Sequence, residues 1–367
     1  MKLVTYIKEG LNFVEVSNDL DLKVVFCDLG ASVFNIYFHD ELMTRNVEHV
    51  RDYKDPTCYY GKTIGRTSNR LKGYRFDIHD VIYNLEPNEG NNILHGGKNG
   101  LSNKIFKTQV DTFNDYVEVK FTYFSKHLEA GYPGNVNILV KYIIYKDDNK
   151  LDVIYTAISD MDTLFSLTNH SYFTLGDTDI SNLELFINSH KYLNVDKSNL
   201  LAEDIRQVND VMDFNSYKKI SKDIDSDYLK GKMMNGYDSY WYFDVIDEHK
   251  VNVSLRNDRY QLDILTNYEG TQLYSSNFKT PYELRGGSSF RDSVAIEPSD
   301  SFYKFPVLLK DQIYQRFISY LFDFTSRVDK DDVMLDEYDF SNAKRSPYPN
   351  MLKGQDAPIK IISDGKK

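Results

Sequence analysis

Apolar and polar residues alternate with a period of two along much of this chain, which predicts strands rather than helices. In the stretch DYVEVKFTYF, Val117, Val119, Phe121 and Tyr123 share one face, while Glu118, Lys120 and Thr122 share the other. Val136, Ile138, Val140, Tyr142 and Ile144 alternate up to a turn at Asp147-Asp148-Asn149, and Leu151, Val153, Tyr155 and Ala157 alternate back. This spacing predicts a long antiparallel hairpin. A second hairpin is predicted through Val251, Val253 and Leu255, a turn at Asn257-Asp258, and a return through Tyr260, Leu262 and Ile264. Helical spacing is sparse: residues 47–53 and 199–208 each read as a short helix or an irregular turn. Neither heptads nor a repeat of solenoid period occurs. Many strands joined by short turns point to an all-β fold, a large antiparallel β-sandwich, rather than the strand–helix alternation of a parallel sheet.

The alternation persists to about residue 326, so 1–326 reads as one β-sandwich domain. Residues 327–367, including VDKDDVMLDEYD and KRSPYPNMLKGQDAP, are charged and proline-bearing, and read as an appended C-terminal tail, partly ordered at best.

Composition adjusts this picture in three places. The 29 Tyr and 22 Phe suit strands, and they also suit a site that lays a flat ring against a sugar face. A net charge of −11 without clustered Lys and Arg argues against a nucleic-acid partner. The first residues, MKLVTYIKEGLNFVEV, lack the continuous apolar segment of a signal peptide, and no stretch is long enough to span a membrane. Cys27 and Cys58 sit in neither a CxxC nor any other metal-like spacing, and two cysteines do not make a disulfide framework, which fits a reducing cytoplasm.

Four segments concentrate polar residues where strands should end. GKTIGRTSNRLKGYRF (61–76) presents Arg66, Asn69 and Arg70, and its glycines match neither a Walker loop nor a GxGxxG turn. In NNILHGGKNG (91–100), His95 follows Ile93-Leu94 and precedes two glycines that permit close approach of backbone or ligand. In SLTNHSYFTL (166–175), Thr168, His170 and Tyr172 would share one side of a strand. There His170 is either a hydrogen-bonded core residue or a general acid. In RDSVAIEPSDSF (291–302), Glu297 ends the apolar run Val294-Ala295-Ile296 and precedes a proline. Partial desolvation there would raise its pKa and make it a better base.

Taken together and in this order, GRxxNR, LHGG, TNHSYF and the Glu297 segment resemble the aldose 1-epimerase (galactose mutarotase) family. The resemblance runs from about residue 29 to residue 324, and NGYDSYW and GTQLYSSNF fit its later loop and strand. It implies a galactose mutarotase-like supersandwich with an open sugar-binding cleft, no cofactor and no metal. It also implies a reaction that interconverts the α and β anomers of a free aldose. Carried over by motif, Glu297 is the general base for the anomeric hydroxyl and His170 the general acid for the ring oxygen, with His95 assisting. Arg70, Asn69, Asp238 and Gln272 would hold sugar hydroxyls, and Tyr172 would border the same cleft. The expected partner is a small aldose, with no nucleic acid or membrane, and the chain acts as a monomer or homodimer.

The chain departs from the family pattern at Thr174, where Asn is usual, at Ser239, where His is common, and at Pro298-Ser299 beside the base. Three rival readings stay open at this stage. A carbohydrate-binding module would need Arg70 and Asp238 but not the Glu297–His170 pair. A hexose-phosphate epimerase would enlist Arg66 or Arg75 for the phosphate. A glycoside hydrolase would pair Glu297 with Asp238 and leave His170 without a role.

Overall fold

Inward-facing apolar residues of neighbouring strands meet directly across each ladder, and that register builds the core. In the computed structural model, which describes residues 1–287 and 290–325, strands Val136–Tyr145 and Lys150–Ser159 form the first expected hairpin. Val140 lies opposite Tyr155, Tyr142 opposite Val153 and Ile138 opposite Ala157. All six are at most 3% exposed. Side chains so placed touch across the ladder, and burying one aliphatic or aromatic side chain contributes roughly 1.5–3 kcal/mol.

The second hairpin begins two residues later than expected, at Val253–Arg256, and returns as Tyr260–Thr266. Asn257 makes its turn, accepting the backbone N–H groups of Arg259 and Tyr260 on its side-chain oxygen. Tyr116–Ser125 carries the strand expected around residue 120. Its second face is not wholly solvated, because Glu118 is buried between the ammonium groups of Lys120 and Lys141.

These strands assemble into a nine-stranded sheet running from Lys107–Thr112 through the long hairpin and Ile313–Phe324 to Glu184–Ile187 and Lys218–Lys219. A seven-stranded sheet comprises Ala202–Gln207, Lys191–Val195, Asp238–Tyr242, Gly270–Tyr274, Val294–Ser299, Tyr172–Phe173 and Thr44–Arg45, in that order. The first 42 residues add a five-stranded meander from Lys2–Lys8 to Glu41–Leu42. The fold is the all-β antiparallel class expected from the alternation. One large apolar cluster joins residues of all three sheets, among them Val24, Val140, Tyr240 and Ile296.

Residues 50–53 form the short helical turn anticipated in 47–53. The segment 199–208 does otherwise: Ala202–Gln207 is an exposed edge strand. Its polar residues have no apolar stripe to bury as a helix, and pairing with Lys191–Val195 satisfies the backbone instead. The tail expected at 327–367 lies outside the described residues.

Candidate active site

Three adjacent strands of the seven-stranded sheet bring the acidic and amide groups together. Gln272 lies opposite Glu297 in one ladder and opposite Tyr240 in the other, which makes Asp238 its diagonal neighbour on the same face. The Gln272 amide donates to Asp238 Oδ1 at 2.6 Å. Its own Oε1 is buried without a hydrogen-bond partner among the described residues. Glu297 is not at a strand end, as the following proline suggested: Val294–Ser299 continues through it, with Pro298 opposite Thr271. The neighbouring ladder to Tyr172–Phe173 reaches only Ala295, so an imino acid at 298 interrupts no pairing on that side. The Pro298 carbonyl accepts the hydroxyl of Thr168 at 2.7 Å.

His170 does not sit within one continuous strand. Thr168–Asn169 pairs with Thr63–Ile64, whereas Tyr172–Phe173 pairs with Val294–Ser299 and Thr44–Arg45. The chain steps between these ladders at His170, whose N–H donates to the Lys62 carbonyl and whose carbonyl accepts the Gly61 N–H. The step aims His170 Nε2 at Glu297 Oε1, 3.4 Å away. Tyr172 lies against the imidazole, its ring centroid 4.9 Å away and its plane tilted by 25°.

His95 and Asn69 are held to each other. The His95 N–H donates to the Asn69 carbonyl, and the Asn69 N–H donates to His95 Nδ1 at 3.2 Å. Both residues adopt left-handed backbone, φ 54° and 57°. Gly96, next in the chain, lies so close to the Gly65 carbonyl that a Cβ would stand 2.1 Å from its oxygen. The glycine therefore serves backbone packing rather than ligand approach. Because Nδ1 receives an N–H, the neutral ring carries its proton on Nε2.

Arg70 lies between two carboxylates. Its Nε and Nη2 donate to Glu89 at 2.7 and 3.0 Å, and Nη1 stands 3.8 Å from Asp238 Oδ2. The Asn69 side-chain oxygen accepts the Arg70 N–H. All eight residues singled out in the sequence thus join one cluster. It is buried but not sealed, with His95 and Asp238 each 7% exposed. Glu89 and Tyr59 were missed. Glu89 stands in the polar turn six residues before His95, and Tyr59 precedes the glycine loop at residue 61 with nothing local to separate it from the other tyrosines. Arg66 does not join the site: its guanidinium is buried against the carbonyls of Ser125, Lys126, Pro133 and Gly134. Arg75 is exposed on the separate hairpin formed with Val81–Asn84.

Burial sets the electrostatics. It drives the Glu297 carboxyl well above the carboxylate range, helped by the Asp238 charge and opposed by Arg70. Burial likewise pushes His170 down to about 3. His95 is held well below the imidazole value by burial, then by His170 and Arg70. Asp238 is raised by burial, with Arg70 opposing. Burial also works against the Arg70 charge, but Asp238 and Glu89 outweigh it and raise the pKa. Between the lowered His170 and the raised Glu297 the pair holds one proton. A proton on Glu297 leaves both groups neutral, and a proton on His170 leaves an ion pair. Burial favours the neutral pair, and the ion pair is reached from it by one transfer between adjacent groups.

His95, His170 and Glu297 offer atoms within 4.8 Å of one another, a donor set that zinc also uses. Tetrahedral zinc would need ligand atoms roughly 3.3 Å apart with free lone pairs, whereas the His95 Nδ1 lone pair is engaged and Nε2 carries a proton. That set of donors and acceptors suits hydroxyl groups, as does the unpartnered Gln272 Oε1.

A family model described as Aldose 1-epimerase matches residues 12–320. The chain is 31% identical to an aldose 1-epimerase of Escherichia coli (strain K12) over 248 residues, 65% of this chain and 70% of that one. It is 28% identical to an aldose 1-epimerase of Haemophilus influenzae over 300 residues, 77% and 85% of the two chains. In fold it is similar to the crystal structure of galactose 1-epimerase from Lactobacillus acidophilus NCFM, with a TM-score of 0.79, 23% identity, and 89% and 99% coverage.

Proposed function

This chain belongs to the aldose 1-epimerase family and is a carbohydrate isomerase that interconverts anomers, and we propose that Glu297 and His170 move the proton in that reaction. The observation that carries the assignment is the 3.4 Å approach of His170 Nε2 to Glu297 Oε1 in a buried polar cluster. From the ion-paired state, the Glu297 carboxylate takes the proton of the anomeric hydroxyl while the His170 imidazolium gives its proton to the ring oxygen. The C1–O5 bond breaks and the open-chain aldehyde forms, which leaves Glu297 protonated and His170 neutral. Rotation about C1–C2 turns the other face of the aldehyde to the attacking hydroxyl. Glu297 then protonates the aldehyde oxygen as His170 takes the hydroxyl proton, and the second anomer closes. Each half-reaction ends in the state from which its reverse begins, so one proton serves the whole cycle. His95 donates from Nε2 to a nearby sugar oxygen, and Arg70, Asp238 and Gln272 hold hydroxyls.

The substrate we assign is a neutral aldose, galactose or glucose being the first to try. A phosphate would need a spare cation, and Arg66 and Arg75 are placed elsewhere while Arg70 already faces two carboxylates. Cys27 and Cys58 are both buried free thiols, which supports a role in cytoplasmic carbohydrate metabolism. We take the acting form to be a monomer or homodimer. The test is polarimetry of freshly dissolved α-galactose and α-glucose. The protein should speed the approach to equilibrium rotation of at least one of them. Failure with both, alongside measurable sugar binding, would favour the binding-module reading.

Arg70→Ala should act mainly on binding. It removes a donor to the sugar and leaves Asp238 and Glu89 buried without their cation, so we expect KM to rise roughly tenfold or more with a smaller change in kcat. Steady-state polarimetry over a range of sugar concentrations separates the two constants. A large fall in kcat at unchanged KM would place Arg70 in the chemistry instead.

A further inference from the structure

A histidine that moves protons is usually oriented by a hydrogen bond to its second nitrogen, as in a triad, where a third group fixes ring and tautomer. His170 lacks this. Its Nδ1 is buried and has no hydrogen-bond partner among the described residues. Its main-chain bonds to Lys62 and Gly61 fix the backbone but not the ring.

Aromatic rings occupy the positions around it. Tyr172 lies near-parallel at 4.9 Å and 25°, and Tyr59 near-parallel at 5.9 Å and 22°. Tyr60 meets Tyr172 at 4.4 Å with the two ring planes tilted by 39°. Tyr59 also meets His95 at 4.8 Å and 64°, and His95 meets His170 edge to face at 5.2 Å and 82°. The separations at the two histidines fall in the range where ring pairs attract beyond their buried area. Tyr59 therefore touches both histidines, and its chain neighbour Tyr60 backs Tyr172. An aromatic face also attracts an imidazolium, the form in which His170 donates.

We propose that Tyr59 is a positioning residue that, together with Tyr172, orients the His170 imidazole toward Glu297 by ring contact in place of a hydrogen bond to Nδ1. The inference rests on the role assigned to His170 above. It makes the ring of Tyr59 essential and its hydroxyl dispensable, and it separates Tyr59 from residues that hold the sugar.

The test compares Tyr59→Leu, Tyr59→Met and Tyr59→Phe in the full-length chain, with His170→Asn alongside. Methionine fills most of the tyrosine volume without an aromatic face and serves if leucine unfolds the protein. We expect Leu and Met to lower kcat roughly tenfold, with KM within about threefold of wild type, as a misaligned acid would. Phe should restore kcat. Nitrogen-15 NMR of the histidines should show one tautomer of His170 in wild type and Tyr59→Phe, and a mixture in Tyr59→Leu. The inference is overturned if Tyr59→Leu turns over like wild type, or if Phe loses as much as Leu, which would assign the effect to the hydroxyl. If His170→Asn itself keeps normal turnover, the acid assignment has failed rather than the ring contact alone.

Discussion

Glu297→Gln should lose roughly a thousandfold or more in kcat, within the 10²–10⁴ range of a single acid–base group, while sugar binding stays measurable. The amide has nearly the shape of the carboxyl it replaces, and residue 297 would still lie opposite Gln272 in the ladder. The groups proposed to hold the sugar, Arg70, Asp238 and Gln272, keep their mutual contacts. What is lost, in the mechanism proposed above, is the acceptor for the anomeric proton and the site that stores it while the ring is open. Asp238 is a poor substitute, since it is already bonded to Gln272 and faces Arg70. Polarimetry gives the turnover and titration calorimetry the affinity. Turnover near that of wild type would remove Glu297 from the mechanism.

His170→Asn should be nearly as severe, and the pH profile of the wild-type enzyme tells why. Burial lowers His170 and raises Glu297. Well below pH 3 both groups are protonated and no base remains. Above the raised pKa of Glu297 both are deprotonated and no acid remains. Between these limits the pair holds the one proton that the cycle needs. The wild-type kcat/KM should therefore not fall as pH drops from 7 to 5, where an ordinary imidazole titrating near 6.5 would impose an acid limb. Because Asp238 raises Glu297 through its charge, Asp238→Asn should move the alkaline limb to lower pH. A wild-type acid limb at pH 6–7 would contradict a neutral, buried His170. A His170→Asn variant that lost only thermal stability would return His170 to the role of a core residue.

The departures from the family pattern look different once their partners are known. Thr174 serves the fold, its hydroxyl donating to the Leu42 carbonyl and its N–H to that of Met43. Pro298 sits in the ladder beside Glu297, and its carbonyl ties the strand to Thr168 without displacing the base. Ser239 pairs with Leu273 in the strand that carries Asp238, and nothing in the structure explains its replacing the usual histidine.

Alternation was enough to read the class of fold and the two hairpins, because successive side chains along a strand point to opposite faces. Where that local signal was weak, tertiary pairing decided: 202–207 became an edge strand, and the strand around His170 split between two ladders. The order of the motifs likewise pointed to Glu297, His170, His95 and the residues around them, since each motif is contiguous in sequence. The sequence could not set their ionisation or their supports. His170 and Glu297 are 127 positions apart, and the bond from Gln272 to Asp238 crosses 34. Glu89 could be chosen as the partner of Arg70, and Tyr59 as the neighbour of both histidines, only once the chain had folded. The types and faces of residues were thus written along the chain. Desolvation, tautomer and ring contact depend on what the rest of the chain places within a few ångströms, and the tertiary structure alone decided them.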